Sequence, residues 1–158
     1  MIVISDTSPI TNLAAIGQLD LLRQLFGRVI VGPAVLRELK RDGGHPGAEI
    51  EEFHWVEVRA AADQELVREL EGEIHKGEAE TIVIALETSA EWVLIDEKMG
   101  RTVAMQRGLK VIGVLGILSR AKVERLVPAL RPLLEQLVDH GFHLSPTLVA
   151  KLLQELGE

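Results

Sequence analysis

Short aliphatic runs alternate with stretches of helical spacing along this chain, and that alternation constrains its fold more than any other feature. Ile2 to Ile4, Arg28 to Val31, Trp55 to Val58, Trp92 to Ile95 and Lys110 to Ile112 read as strands. Between them lie helical patterns with recognisable ends. Ser8 is expected to cap the first helix with Pro9 at its first position, and Leu13, Ile16, Leu19, Leu22 and Leu25 continue it, with a break near Gly17 and Asp20. Gly32-Pro33 opens a helix bearing Val35, Leu36 and Leu39, and Asp42 to Gly47 reads as a loop. Asp63 is expected to cap a helix with Leu66, Val67 and Leu70 on one face, Gly77 precedes another (Ala79, Ile82, Val83, Ala85, Leu86), and Gly108 closes the next. Strands alternating with helices predict an α/β fold: a central parallel sheet of about four or five strands between helical layers, with right-handed crossovers.

Past Gly116 the pattern becomes purely helical, around Leu115 to Val123, Pro128 to Asp139 and Pro146 to Leu156. Ser145 caps the last, whose Leu148, Val149, Leu152, Leu153 and Leu156 form one apolar stripe. The expected organisation is therefore a domain over 1–124 and a helical arm over 125–158 that docks on that domain or on a partner.

The 158 residues hold no cysteine, which excludes disulfides, thiolate zinc sites, iron–sulfur clusters and a cysteine nucleophile. Aromatic residues are 3%, so base stacking has a small part in anything this protein binds. A formal charge of −7 argues against broad nonspecific nucleic-acid binding, leaving Lys98, Arg101, Arg107 and Lys110 as a local basic rim. No stretch approaches the roughly 18 apolar residues of a membrane span. The N-terminus has no basic segment and meets Asp6 at once, unlike a signal peptide, so a cytoplasmic protein is expected.

The acids carry the chemistry. In a parallel sheet, strand C-termini and helix N-termini share one edge, where ligands bind. Asp6 follows the first strand, Asp96 follows Trp92 to Ile95, Glu38 lies in the second turn after the second strand, and Glu78, with Glu80 beside it, opens the helix after Gly77. Carboxylates drawn together from separate segments repel one another unless a cation enters or protons are taken up. Mg²⁺ or Mn²⁺ suits such hard oxygen ligands, activates water and stabilises charge on a phosphate under in-line attack; two ions about 4 Å apart would neutralise a charge of about −4. Each acid also has a plainer reading. Asp6 and Asp96 could cap the helices that follow them, Glu78 and Glu80 could favour a helix N-terminus, and Glu38 could be solvated.

Other chemistries lack their residues. Ser8 stands where an aspartyl-nucleophile phosphatase needs a second Asp, and there is no Gly-x-Ser-x-Gly elbow, Walker loop or dinucleotide fingerprint. His140 and His143 are separated by Gly141 and read, like His45 and His54, as loop or core residues.

Asp6-Thr7-Ser8-Pro9-Ile10, Val31-Gly32-Pro33-Ala34-Val35 with Glu38-Leu39, Gly77-Glu78-Ala79-Glu80, and Leu94-Ile95-Asp96-Glu97 with Gly100-Arg101 together resemble, in order and spacing, the PIN domain superfamily. They come nearest its PIN-like DUF3368 branch, which the tail segment Gly141-Phe142 before Ser145 also resembles. The resemblance runs from Ile2 to about Leu118, and implies a three-layer PIN-like fold and a metal-dependent ribonuclease of the toxin–antitoxin kind, with an RNA substrate, a cognate antitoxin and a homodimer. It implies that Asp6, Glu38 and Asp96 are metal-site acids. Counting back from Ala85-Leu86-Glu87 puts the remaining acid at Glu78, with Glu80 a competitor in another register. Ser8 is implied as support for the metal site, with Asn12 and Arg101 as neighbours and Arg101 a phosphate contact. Glu at the third position departs from the commoner Asp, which changes reach and geometry.

Overall fold

Triplets rich in Val, Ile and Leu build the sheet: β1 (Val3–Ser5), β2 (Val29–Val31), β3 (Val56–Val58), β4 (Trp92–Leu94) and the two-residue β5 (Val111–Ile112). The computed structural model describes residues 1–158, the side chain of Asp42 excepted. The strand order is β3-β2-β1-β4-β5 and every pairing is parallel. Between them lie α1 (Thr7–Ala15), α2 (Leu21–Phe26), α3 (Pro33–Asp42), a 3-10 turn (Pro46–Glu52), α4 (Gln64–Leu70), α5 (Lys76–Thr88) and α6 (Lys98–Gln106). The helices α7 (Val114–Val123), α8 (Arg131–Asp139) and α9 (Pro146–Glu155) complete the chain.

Strand periodicity divides the core in two. Val3, Val29, Val31 and Leu94 face one apolar cluster, shared with α1, α2, α3 and α7. Their neighbours Ile4, Ile30 and Val93 face the other, shared with α4, α5 and α6. This is a three-layer PIN-like arrangement, a parallel sheet between helices. Val127, Leu130, Leu133, Leu134, Leu137 and Leu153 join the first cluster, so the arm 125–158 lies on the first 124 residues. Glu158 fastens its end: the Leu130 and Arg131 N–H groups at the start of α8 donate to its two carboxylate oxygens at 2.7 and 3.2 Å. Among the described residues no helix is long and apolar enough to cross a membrane.

Some element ends differ from the expected ones. The first helix starts at Thr7, so Asp6 and not Ser8 occupies the cap position and Pro9 is the third residue. A proline fits there because the opening N–H groups of a helix have no intrahelical partner anyway. By the same logic α8 starts at Arg131 with Pro132 second, leaving Pro128 outside. Gly77 lies inside the first turn of α5 rather than ahead of it, and β1 is shifted by one residue to end at Ser5. The expected loop from Asp42 is shorter, because α3 runs through Asp42 and the 3-10 turn begins at Pro46.

The strand order places the topological switch point between β1 and β4. From β1 the chain moves to β2 and β3 on one side, then returns to β4 on the other. Crossovers at such a point leave a crevice outside the strand C-termini. Ser5 pairs with Leu94 in register, so Asp6 and Asp96 follow adjacent strand ends, one and two residues on, at that crevice.

Candidate metal centre

Asp6 is anchored through its backbone: its N–H donates to the Leu94 carbonyl at 2.9 Å, crossing from β1 to β4. Its residue caps α1 by position, yet its carboxylate makes no capping hydrogen bond. The capping alternative thus holds for the backbone alone. The residue is 4% exposed. Burial pushes its carboxyl up to about 7 from 3.8, the Thr7 backbone N–H pulls it down, and Glu78, Glu38 and Asp96 each push it further up. The other three acids are therefore within electrostatic reach of Asp6.

Glu38 is half-buried, not solvated, and the Thr7 hydroxyl donates to its Oε2 at 2.7 Å. A glycine makes room beside it. A Cβ at Gly77 would stand 2.8 Å from Glu38 Oε1 and 3.5 Å from Asp6 Oδ1, so the first turn of α5 presents backbone to both acids. One residue on, Glu78 is 4% exposed and accepts the His75 N–H at 3.3 Å on Oε1. Its helix-terminus role is real but uses only that oxygen. Its Oε2 is buried without a hydrogen-bond partner and packs where a Cβ on Gly100 would be. Burial raises its pKa, the His75 N–H lowers it, and Glu97 raises it again.

Asp96 lies beyond β4 and divides its oxygens similarly. Oδ1 accepts the Val114 N–H at 2.8 Å, which ties it to the start of α7 and not to the helix that follows it. Oδ2 is buried and unpartnered. Burial raises its pKa, while the Val114 N–H, the neighbouring Asn12 amide and Arg101 lower it. The Arg101 guanidinium donates to the Ile95 carbonyl at 3.3 Å, and it and Asp96 both crowd Gly113.

Glu80 is also 4% exposed but meets a different partner. Its Oε1 accepts the Ala34 N–H at 2.9 Å, passing so close to Gly32 that a Cβ there would stand 2.8 Å away. It satisfies the N-terminus of α3. Glu78 and Glu80 thus separate by direction: the first lines the acid pocket, the second holds β2 to α3.

The pocket itself encloses about 450 Å³ and is lined by Asp6, Ser8, Glu38 and Glu78. Asp96 lines the adjoining concavity instead and acts on Asp6 electrostatically. Thr7, Arg41, His75, Lys76 and Glu97 also line it and were not singled out as site residues in the sequence. Thr7 and Glu97 flank Asp6 and Asp96 in the motifs, but nothing in residue type or spacing marks them; His75 becomes visible only through the backbone at the start of α5. Among the described residues no three His, Asp or Glu groups are gathered tightly enough to hold one ion as they stand. The donor set still suits Mg²⁺ or Mn²⁺, which keep several waters and take only one or two carboxylates directly. Two buried carboxylate oxygens without donors, and a glycine in place of a side chain between two more, fit a small hard cation better than any neutral ligand.

No curated protein matches the chain. The family model of DUF3368, a PIN domain, matches residues 2–158, the arm included. PIN domains are generally nucleases, typically use divalent metals and act on nucleic acids. With its all-parallel five-stranded sheet and acids at the switch point, the chain belongs to the PIN domain family.

Proposed function

We propose that this protein is a divalent-metal-dependent endoribonuclease, cytoplasmic and toxin-like, that hydrolyses RNA phosphodiesters. What supports the reading is that Asp6, Glu38 and Glu78, from three separate segments, line one pocket, and that burial, with Glu78, Glu38 and Asp96 near enough to add to it, raises the pKa of Asp6 to about 7. Such a cluster is unfavourable until a cation joins it. Asp6 and Asp96 would hold Mg²⁺ or Mn²⁺, with Glu38 and Glu78 holding it directly or through water. Bound there, the ion would lower the pKa of water and offset the charge that builds on a phosphodiester under attack.

The remaining residues position these groups. The Thr7 hydroxyl fixes Glu38, the His75 N–H fixes one oxygen of Glu78, and the Val114 N–H fixes one oxygen of Asp96. In each of the last two, the second oxygen is left free. Asn12 steadies Asp96, Ser8 lines the pocket, and Arg101 contacts a substrate phosphate once it leaves the Ile95 carbonyl. Glu80 stays outside the chemistry. A cognate antitoxin and a homodimer belong to the same reading.

Cleavage of a panel of single-stranded RNAs, with and without Mn²⁺, tests it. Wild type should cut only with metal, and Asp6→Asn should not cut at all. Metal should also raise the melting temperature of wild type and leave Asp6→Asn unchanged. Metal-independent cleavage, or an equal metal response in both proteins, overturns the proposal.

A further inference from the structure

A second, larger concavity begins at Asp96, adjoining the acid pocket. It encloses about 790 Å³ and runs from Asp96 and Arg101 along α6 and α7 to the C-terminal arm. The two differ in chemistry. The acid pocket is lined by four carboxylates together with Arg41 and Lys76, whereas Asp96 is the one carboxylate of the groove, whose cations are Lys98 and Arg101. Farther along, the walls become apolar: Met105 and Ile112 on one side, Phe142 and Leu148 of the arm on the other. Met105 is 54% exposed and Leu148 48%, so both present apolar surface to the groove.

We propose that this groove receives an unpaired base of a single-stranded RNA next to the acids, and that the C-terminal arm is the wall that selects it. The inference rests on the nuclease reading above for the identity of the substrate.

Three observations favour a nucleotide as the occupant. The groove's own cations, Lys98 and Arg101, are close to Asp96 in the chain, so a phosphate held next to the acids would meet them, and the apolar surface lies beyond, where a base would follow. The volume falls within the roughly 300–1,000 Å³ of sites that enclose small organic molecules. Phe142, half-buried against the core, supplies an aromatic ring to the groove wall. Phe26 and Trp92 lie under the Arg120 guanidinium, and Phe53 stacks on Trp55 at 5.4 Å, so among the described aromatics Phe142 alone has no such partner.

The groove also indicates how selective it is. Its hydroxyls are turned inward: Ser119 donates to the Leu115 carbonyl at 2.8 Å and Thr102 to the Lys98 carbonyl at 3.0 Å. Few polar groups are left to read base edges, apart from His143. Contact with base faces is tolerant of sequence but needs a base out of its stack. The arm therefore confers preference for single strands more than for a particular base.

Binding of a short fluorescent single-stranded RNA in EDTA, by anisotropy, tests this without cleavage. Leu148→Glu and Met105→Glu stand on opposite walls, and both are exposed enough for the fold to survive. Each should weaken binding about tenfold or more, the scale of losing one base contact. Val138→Glu, on an exposed face of α8 outside the groove, should bind like wild type, and the same RNA as a duplex should bind at least several-fold more weakly than the single strand. Unchanged affinity in both groove variants overturns the proposal, as does equal binding of duplex and single strand. So does a change of oligomeric state in Leu148→Glu by light scattering, which would make the groove a protein interface. Mn²⁺-induced thermal shift, read in wild type and Asp6→Asn, reports the acid pocket separately. A lost metal response with groove effects intact removes the catalytic reading, and the reverse removes the groove.

Discussion

Carboxylates at two ends of this molecule meet opposite surroundings. At the start of α8, Glu158 receives two backbone N–H groups and lies 3.3 Å from the Lys122 ammonium. Those donors, the Leu130 N–H first, hold its pKa below the usual value. At the switch point, Asp6, Glu78 and Asp96 are buried with too few donors, and burial raises the pKa of each. The first arrangement stabilises the fold; the second costs stability as long as the acids are ionised. Such a costly cluster is what the proposed metal site would need, since nothing in the packing requires it. Glu80 shows the contrast within one helix turn, since it is as buried as Glu78 but meets the Ala34 N–H.

The largest expected effect breaks the acid cluster. The Asp6 carboxyl moves from 3.8 to about 7 on folding, so the native state binds its proton more tightly. Stability of the metal-free protein should therefore be greatest below about pH 4 on this account and fall as pH rises toward 7, by an amount on the order of a few kcal/mol. Asp6→Asn should flatten that slope and be more stable than wild type at pH 8 in EDTA. Urea melts at several pH values measure it, and an unchanged slope would mean that Asp6 is not strained.

Glu80→Ala should act in the opposite sense. It leaves the Ala34 N–H buried without its acceptor and should destabilise by about 1–3 kcal/mol, with Glu80→Gln losing less because an oxygen remains. Metal response in Glu80→Gln should match wild type; its loss would move Glu80 into the metal centre.

Glu158→Ala should cost about 1 kcal/mol, the worth of a helix cap. Hydrogen exchange should then quicken in α8 and α9 before the sheet. Because the folded pKa of Glu158 is lowered, its contribution is present above the ordinary carboxylate range and is lost as pH falls through the folded value. Thr7→Val is the smallest change. It frees Glu38 and should leave stability within about 0.5 kcal/mol, while lowering metal-dependent cleavage several-fold with the metal requirement intact.

Much of this contrast was visible along the chain. Aliphatic triplets followed by capped amphipathic stretches specify parallel strands and crossover helices, because period 2 and period 3.6 leave different patterns in residue type. Asp6 and Asp96 were legible as edge acids because each directly follows such a run. Helix starts were blurred near Pro9, Gly77 and Pro128, since any of several opening positions tolerates a residue without a hydrogen-bonded N–H.

By itself, the sequence determined the layer architecture and which segments carry acids to the strand ends, because local periodicity and burial set both. Only the tertiary structure decided what each acid faces. Glu78 and Glu80 are two residues apart and chemically identical, yet one projects into the acid pocket and the other into the turn before α3. The same holds for the arm, whose apolar stripe could have docked anywhere until Leu153 and its neighbours found the α1–α7 side and left Phe142 and Leu148 lining the groove that begins at Asp96. Hydrogen-bond partners and desolvation come from residues distant in the chain, and they set whether a carboxylate holds the fold together or is buried without donors.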